Sequence, residues 1–184
     1  HVKANTPKVK STDLWRTPKA PFNTLNKEFN FLADMASTHE NALLTLHFTE
    51  EDNSLGFDWA EEACLQSNFT RYVWVNCPYS NPMPWVKQSL LAQSKGLGVV
   101  MLLNADHSVG WFAEALKGVS EVRNVIADEK KGGGYSSGRL AFLDSEGEPQ
   151  SGNNKPQFVL VFNPFKIGAN ITSYITKKEL YGEK

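Results

Sequence analysis

The chain has 184 residues, 41% of them hydrophobic and 11% aromatic, with 19 basic side chains against 20 acidic ones, which suits one globular domain with a substantial core. No apolar run approaches the roughly 18 residues of a membrane span, and the N-terminus lacks the apolar stretch of a secretory signal, so the expectation is a soluble, cytoplasmic protein with no membrane partner. The 2 cysteines, Cys64 and Cys77, make no C-x-x-C pair and the 4 histidines show no ligand spacing, which argues against a disulfide framework and against a metal site.

Residues 1–12 are polar and basic, lack apolar periodicity, and read as a flexible arm outside the fold. From Pro21 to Phe29, the residues Phe22, Leu25 and Phe29 recur at helical spacing. Phe31 to Ala36 then reads as a short buried strand carrying Asp34 near its end. Thr38 is a candidate cap for a short helix through Asn41, Ala42, Leu43 and Leu44, and the polar run from Thr49 to Ser54 is loop.

The β-branched and aromatic run Arg71-Tyr72-Val73-Trp74-Val75 predicts a strand, stopped by the turn-forming stretch from Asn76 to Pro82. Trp85, Val86, Leu90 and Leu91 predict a helix of about three turns. Gly98 to Leu103 is the continuous apolar run of a strand covered on both faces. A second helix over Val109–Leu116 leads to a strand over Val122–Ile126. This order implies an α/β fold with a doubly wound, mostly parallel sheet, in which ligands sit beyond the carboxyl ends of the strands; Asp34 and Asn76 both fall at such ends.

The remaining chain differs in texture. Gly132 to Gly138 is expected as a mobile glycine-rich loop, and Arg139–Leu143 and Phe158–Phe162 as two strands of an antiparallel edge. A closing segment, 166–184, is expected to hold a helix with Thr172 as its cap and Tyr174, Ile175 and Leu180 along it. The domain proper is thus expected over 13–165.

The near-zero net charge conceals an asymmetry. Residues 1–30 carry six basic and two acidic side chains, 31–66 carry eight acidic and no Lys or Arg, and the rest carries thirteen basic and ten acidic. The acidic stretch reads equally as a site for a cationic ligand or as a solvated face.

Asn76-Cys77-Pro78-Tyr79 at a strand end resembles the Asn/Asp-Pro-Pro-Tyr motif of amino methyltransferases. The likeness extends to Trp15-Arg16-Thr17-Pro18, to Asp34-x-Ala36-Ser37 followed by Glu40-Asn41-Ala42, and to Phe48 through Leu55 with Asp58-Trp59. It continues through Trp85 and through Met101-Leu102-Leu103 with Ala105-Asp106 and Trp111-Phe112. This ordered set, covering roughly residues 15–162, resembles the phage-type DNA N-6-adenine methyltransferase family. The resemblance implies a Rossmann-like class I fold with S-adenosylmethionine as methyl donor. It further implies transfer to the N6 amine of adenine in DNA, in a bacterial host cell, with no metal.

The chemistry explains why these residue types belong together. Adenine's exocyclic nitrogen delocalises its lone pair into the ring, and acceptors on its two N–H groups push it toward tetrahedral geometry and stabilise the positive charge that develops. The Asn76 side-chain carbonyl and the Cys77 backbone carbonyl are the candidate acceptors. Pro78 restricts Cys77 to extended backbone, and the Tyr79 ring offers a face to a base extruded from the duplex. The family's first Pro is Cys77 here, which keeps the carbonyl but frees one φ angle. A role for the thiol itself is disfavoured, because spacing gives it no His or metal partner.

The resemblance also implies cofactor contacts. Asp34 would accept from the methionine ammonium, with Trp15, Thr17 and Pro18 as a cover and Ala36, Asn41 and Asn76 beside it. Asp58 would accept from the cofactor's adenine amine. For Asn41 and Asp58, helix or turn capping is an equal alternative. Trp59, Trp85 and Trp111 read as core anchors. Lys130, Lys131 and Arg139, on the loop after the last parallel strand, are the candidate DNA contacts, with an ion pair inside the domain as an equal alternative for Arg139 and a solvent-facing position as the simpler reading of the two lysines. Two rival functions remain open: methylation of RNA or of protein glutamine, whose flat amide is similar to the adenine amine, and a catalytically inactive DNA- or cofactor-binding descendant.

Overall fold

The computed structural model describes residues 11–66, 72–165 and 168–184, with side chains outside 11, 12 and 64–66. The basic arm expected over residues 1–12 thus lies, up to residue 10, outside the described residues. Helices α1 (Lys19–Phe29) and α2 (Trp59–Gln66) lead to strand β1 (Tyr72–Val75), followed by α3 (Met83–Ser94), β2 (Gly98–Asn104), α4 (Gly110–Ala115) and β3 (Glu121–Ile126). A hairpin of β4 (Asp128–Glu129) and β5 (Tyr135–Ser136) follows, then β6 (Gln157–Phe162), β7 (Ile171–Thr176) and α5 (Lys177–Leu180).

The sheet has five strands in the order β1-β2-β6-β3-β7. β1 pairs with β2, and β3 with β7, in parallel, while β6 runs antiparallel to both of its neighbours. The mixed α/β class is therefore as expected, but the antiparallel strand lies inside the sheet instead of at an edge. Its sequence accounts for this: Gln157 to Phe162 is buried at every position, and a strand apolar on both faces needs cover on both. β2 is likewise apolar up to its last residue, with Gly98 to Leu103 buried.

The pleat sends alternate residues to opposite faces. Val73, Val75, Val99, Met101, Leu103, Phe158 and Leu160 join the core under α2, α3 and α4, where Trp59 is 1% exposed and Trp85 and Trp111 pack alongside. Trp74, Val100, Leu102, Val159 and Val161 face the other way onto Phe22 and Leu25 of α1 and Leu180 of α5. Helices thus cover both faces.

Four local expectations are corrected. Residues 31–36 form no full strand, yet Leu32 and Met35 donate backbone hydrogen bonds to β1 at 2.9 and 3.0 Å, and Asp34 donates to Leu46 O at 3.0 Å and accepts from Phe48 N–H at 2.9 Å, pairing with a further extended piece over 46–48. Asn41 to Leu44 is a turn instead of a helix: Thr38 and Asn41 bond each other reciprocally, at 2.7 and 3.2 Å. Arg139–Leu143 is no strand; only Leu143 pairs, with Arg16 and Pro149.

The last correction concerns the C-terminus, where Thr172 lies within β7 and Thr176 caps α5. Its hydroxyl accepts from Glu179 N–H at 3.2 Å and its own N–H donates to the Glu179 carboxylate at 2.8 Å. This reciprocal cap at Thr-x-x-Glu competed with the alternating Ile171-Thr-Ser-Tyr-Ile175 pattern, which reads correctly as strand.

Candidate active site

β1 ends at Val75, and the chain turns through Asn76–Pro82 into α3. Pro82 occupies the N-cap position and Pro84 the first turn, where a missing N–H costs nothing. Pro78, Pro82 and Pro84 together stiffen this connection. Asn76 continues the β1 alternation, so its side chain shares a face with Trp74 while Cys77 joins Val73 and Val75 in the opposite core.

Four buried side-chain polar atoms have no hydrogen-bond partner among the described residues: Thr17 Oγ1, Trp74 Nε1, Asn76 Oδ1 and Tyr79 Oη. Buried polar atoms are ordinarily paired, because leaving one unpaired costs about 1–3 kcal/mol. These four lie on two stretches, one with Thr17 and one over 74–79, that the structure joins through a third around Phe142. Trp15 stacks on Phe142 with ring centroids 5.6 Å apart, and Tyr79 meets the same ring edge-on at 5.8 Å. Arg16 and Leu143 exchange backbone hydrogen bonds of 2.8 and 2.9 Å, and Ser80 N–H donates to the Asp13 carboxylate at 3.0 Å. The segment with Trp15, Thr17 and the buried Pro18 is thereby fastened beside the Asn76–Tyr79 loop. No hydrogen bond to the Cys77 carbonyl is made among the described residues, so it remains an available acceptor.

Asp34 pairs with Trp74 across the sheet and is 3% exposed. Its carboxylate receives two long bonds, from Ala36 N–H and Leu43 N–H, both at 3.3 Å, and no Lys or Arg among the described residues pairs with it. Burial pushes its pKa up to about 6, against the smaller lowering effects of those N–H groups and of nearby His47. A buried carboxylate with weak partners is a receptor for a positively charged donor. The Cys77 thiol is 3% exposed and burial pushes its pKa up, away from the thiolate that a nucleophile requires. Burial likewise holds the Tyr79 hydroxyl neutral.

Other sequence-derived candidates stand apart. Asn41 spends its side-chain oxygen on Thr38. Asp58 pairs with Lys95, at the C-terminal end of α3, and accepts from Glu61 N–H at 3.1 Å, which makes it a cap of α2 held by a cation. Lys130, Lys131 and Arg139 are all exposed. The two lysines belong to a defined hairpin instead of a mobile loop, with Arg139 just beyond it: Lys130 N–H reaches Gly134 O at 3.0 Å and Gly133 N–H reaches Lys130 O at 2.9 Å. Gly133 and Gly134 make that turn at φ of 90° and 78°. The hairpin leaves the carboxyl end of β3, which runs parallel to β1, so it rises from the same end of the sheet as Asn76.

Two features escaped the sequence reading. Trp74 was visible only as a strand residue, although its position two before Asn76 places it on the same face. Asn104 and Gln157, polar residues bounding two otherwise apolar strands, also gave a signal, since an amide in such a place needs partners.

An acceptor-bearing, proline-stiffened loop at the carboxyl end of β1 in a mixed sheet defines a class, the methyltransferases of amino groups. A family profile described as DNA N-6-adenine-methyltransferase (Dam) matches residues 3–183. The chain is 33% identical over 187 residues to a DNA N-6-adenine-methyltransferase of Haemophilus phage HP1 (strain HP1c1), spanning 97% of this chain and 95% of that one. It is 32% identical over 162 residues to a protein of the same name from Escherichia phage T1, spanning 85% of this chain and 65% of the relative. The chain belongs to the DNA N-6-adenine-methyltransferase family.

Proposed function

We propose that this chain transfers a methyl group to the N6 amine of adenine in DNA at Asn76-Cys77-Pro78-Tyr79, and that the donor is S-adenosylmethionine. The observation that carries the reading is the buried, unpaired Oδ1 of Asn76 at the end of β1, with Thr17, Trp74 and Tyr79 contributing three further unpaired polar atoms nearby. Asn76 Oδ1 and the Cys77 carbonyl accept the two N–H groups of the target amine, which localises its lone pair and stabilises the charge that forms on it. Pro78 holds Cys77 in the extended conformation that aims its carbonyl. Tyr79 packs against the extruded base.

S-Adenosylmethionine, when bound, supplies an electrophilic methyl on a sulfonium. The residues around Asp34 fit such a ligand: its buried carboxylate accepts the ammonium, Ala36 and Leu43 N–H fix that carboxylate's orientation, and Trp15, Thr17 and Pro18 close over it. Asn41 and Asp58 enter this proposal only as supports of the loops they cap. Counting the extended pieces 32–35 and 46–48, we read the sheet as the Rossmann-like class I methyltransferase arrangement.

DNA lies across the rim with Lys130, Lys131 and Arg139 on its phosphates, in a host cytoplasm where DNA is accessible. Labelled methyl donor offered with DNA, RNA and protein tests the reading: label in DNA adenine that vanishes in Asn76→Ala supports it. Label in RNA or protein alone, or unchanged transfer by Asn76→Ala, defeats it.

A further inference from the structure

A row of three amides runs along the face that carries Asn76. Gln157 is 1% exposed at the start of β6, and its backbone pairs with Asn104, the last residue of β2. Its Oε1 accepts the backbone N–H of Leu140 at 3.0 Å and the Asn153 Nδ2 at 3.1 Å, and its Nε2 donates to Asn104 Oδ1 at 3.0 Å. Asn153 Nδ2 also donates to Leu140 O at 2.8 Å, and its Oδ1 accepts Lys155 N–H at 3.0 Å.

Amide oxygen and nitrogen are normally interchangeable by a flip, but here backbone groups remove the ambiguity. Leu140 N–H and Lys155 N–H can only donate, and Leu140 O can only accept. The orientation of Asn153 and Gln157 follows, and that of Asn104 follows from Gln157. Asn104 must therefore turn its carbonyl inward and its NH2 outward. That Nδ2 has no partner among the described residues, and Asn104 is only half-buried.

Position identifies what that NH2 meets. Asn104 follows Val100 and Leu102 on the face shared with Trp74, and β2 is the neighbour of β1 on the side away from Asp34. Leu140, held by the relay, lies two residues before Phe142, whose ring packs on Tyr79. The donor thus lies on the sheet face and at the strand end that carry the Asn76–Tyr79 loop. In adenine, the amine that Asn76 and Cys77 receive is flanked by two acceptors, N1 and N7.

We infer that Asn104 is a specificity-determining residue that donates from Nδ2 to a ring nitrogen, N1 or N7, of the target adenine, with Gln157 and Asn153 fixing its polarity. The inference rests on the proposed site reading.

The test is a coupling measurement on randomised-sequence duplexes containing adenine, 7-deazaadenine or 1-deazaadenine. With adenine, Asn104→Ala lowers kcat/KM about tenfold or more, from a lost hydrogen bond and an unpaired base acceptor. With the one analogue lacking the contacted nitrogen, wild type and Asn104→Ala transfer equally. Gln157→Glu still accepts from Leu140 and Asn153 but no longer donates, so Asn104 flips, presents its carbonyl, and gives a similar loss without unfolding. S-Adenosylmethionine affinity stays at the wild-type value in both variants.

An equal loss on all three duplexes, no loss on adenine, or a matching loss of cofactor affinity overturns the inference. Near-normal transfer by Asn76→Ala instead overturns the site reading and leaves the Asn104 coupling to be judged by its own result.

Discussion

Two regions of this protein treat polar groups in opposite ways. Around Arg123, half-buried on β3, the charged groups are paired. Its guanidinium forks onto Glu28 at 2.7 and 2.9 Å and onto Glu121 at 2.5 and 3.3 Å, it lies 5.7 Å from the Phe29 ring centroid, and Ser173 completes Glu121 at 2.8 Å. This knot ties α1 and β7 to β3. At the end of β1, by contrast, Thr17, Trp74, Asn76 and Tyr79 keep polar atoms buried and unpaired, and Asp34 keeps a carboxylate with two weak partners. The polar groups that tie α1 and β7 to β3 are paired with one another, whereas those at the end of β1 keep bonding capacity that the fold does not use.

The contrast predicts different failures. The largest effect belongs to Asn76→Ala: transfer should fall about a hundred- to a thousandfold in kcat, with melting temperature and most cofactor affinity retained, because its Oδ1 has no structural bond to lose. A variant that unfolds with its activity would place Asn76 on the structural side of the divide.

Asp34 comes next. Asp34→Ala should cost about 10- to 100-fold in S-adenosylmethionine affinity by calorimetry, the worth of a charge-assisted bond. The pH dependence sharpens this. The folded pKa, about 6, lies above the ordinary 3.8, so this group favours the fold below about pH 4, and that contribution is lost as pH rises through 6. A cationic ligand prefers the ionised form and reverses the trend. The rise in melting temperature on adding cofactor should therefore be larger at pH 8 than at pH 5, and Asp34→Asn should erase the difference. An equal rise at both values would remove Asp34 from the ammonium site.

Arg123→Met should do the converse, lowering stability by about 1–3 kcal/mol in denaturant melts while kcat at low temperature stays unchanged, since it strands Glu121 without touching the loop. A selective loss of kcat would blur the comparison.

Much of this division was legible in the sequence. Asn76-Cys77-Pro78-Tyr79 after a β-branched run announced both the strand and its functional end, and the apolar run from Gly98 to Leu103 announced an inner strand. What escaped notice depended on long-range pairing. Phe158–Phe162 read as strand, but its place between β2 and β3 is set by which partners bury both its faces. The acceptors on Asn153 and Gln157 become a polarity-fixing relay only once β2 and β6 lie side by side. Asp58 looked equally like a cofactor acceptor or a cap until Lys95, 37 residues away, paired with it. The glycine-rich run from Gly132 suggested a loop because glycine permits mobility, whereas here two glycines at positive φ make a tight turn between short strands.

That hairpin bears the smallest expected effect. Lys130 and Lys131 sit at its turn with Arg139 just beyond, all exposed, on the end of the sheet that carries Asn76. Only backbone bonds shape the turn, so replacing both lysines with Ala leaves the hairpin intact. Each lysine that meets a phosphate releases counterions and contributes about 0.9 to the slope of log affinity against log salt. The double variant should therefore bind DNA several-fold more weakly at moderate salt, equally for all sequences, and flatten that slope by up to about two units, with cofactor affinity unchanged. Fluorescence anisotropy across a salt series reads both quantities. A slope that stays at the wild-type value would show that the hairpin is solvated in the complex and that the phosphates are gripped from another part of the rim.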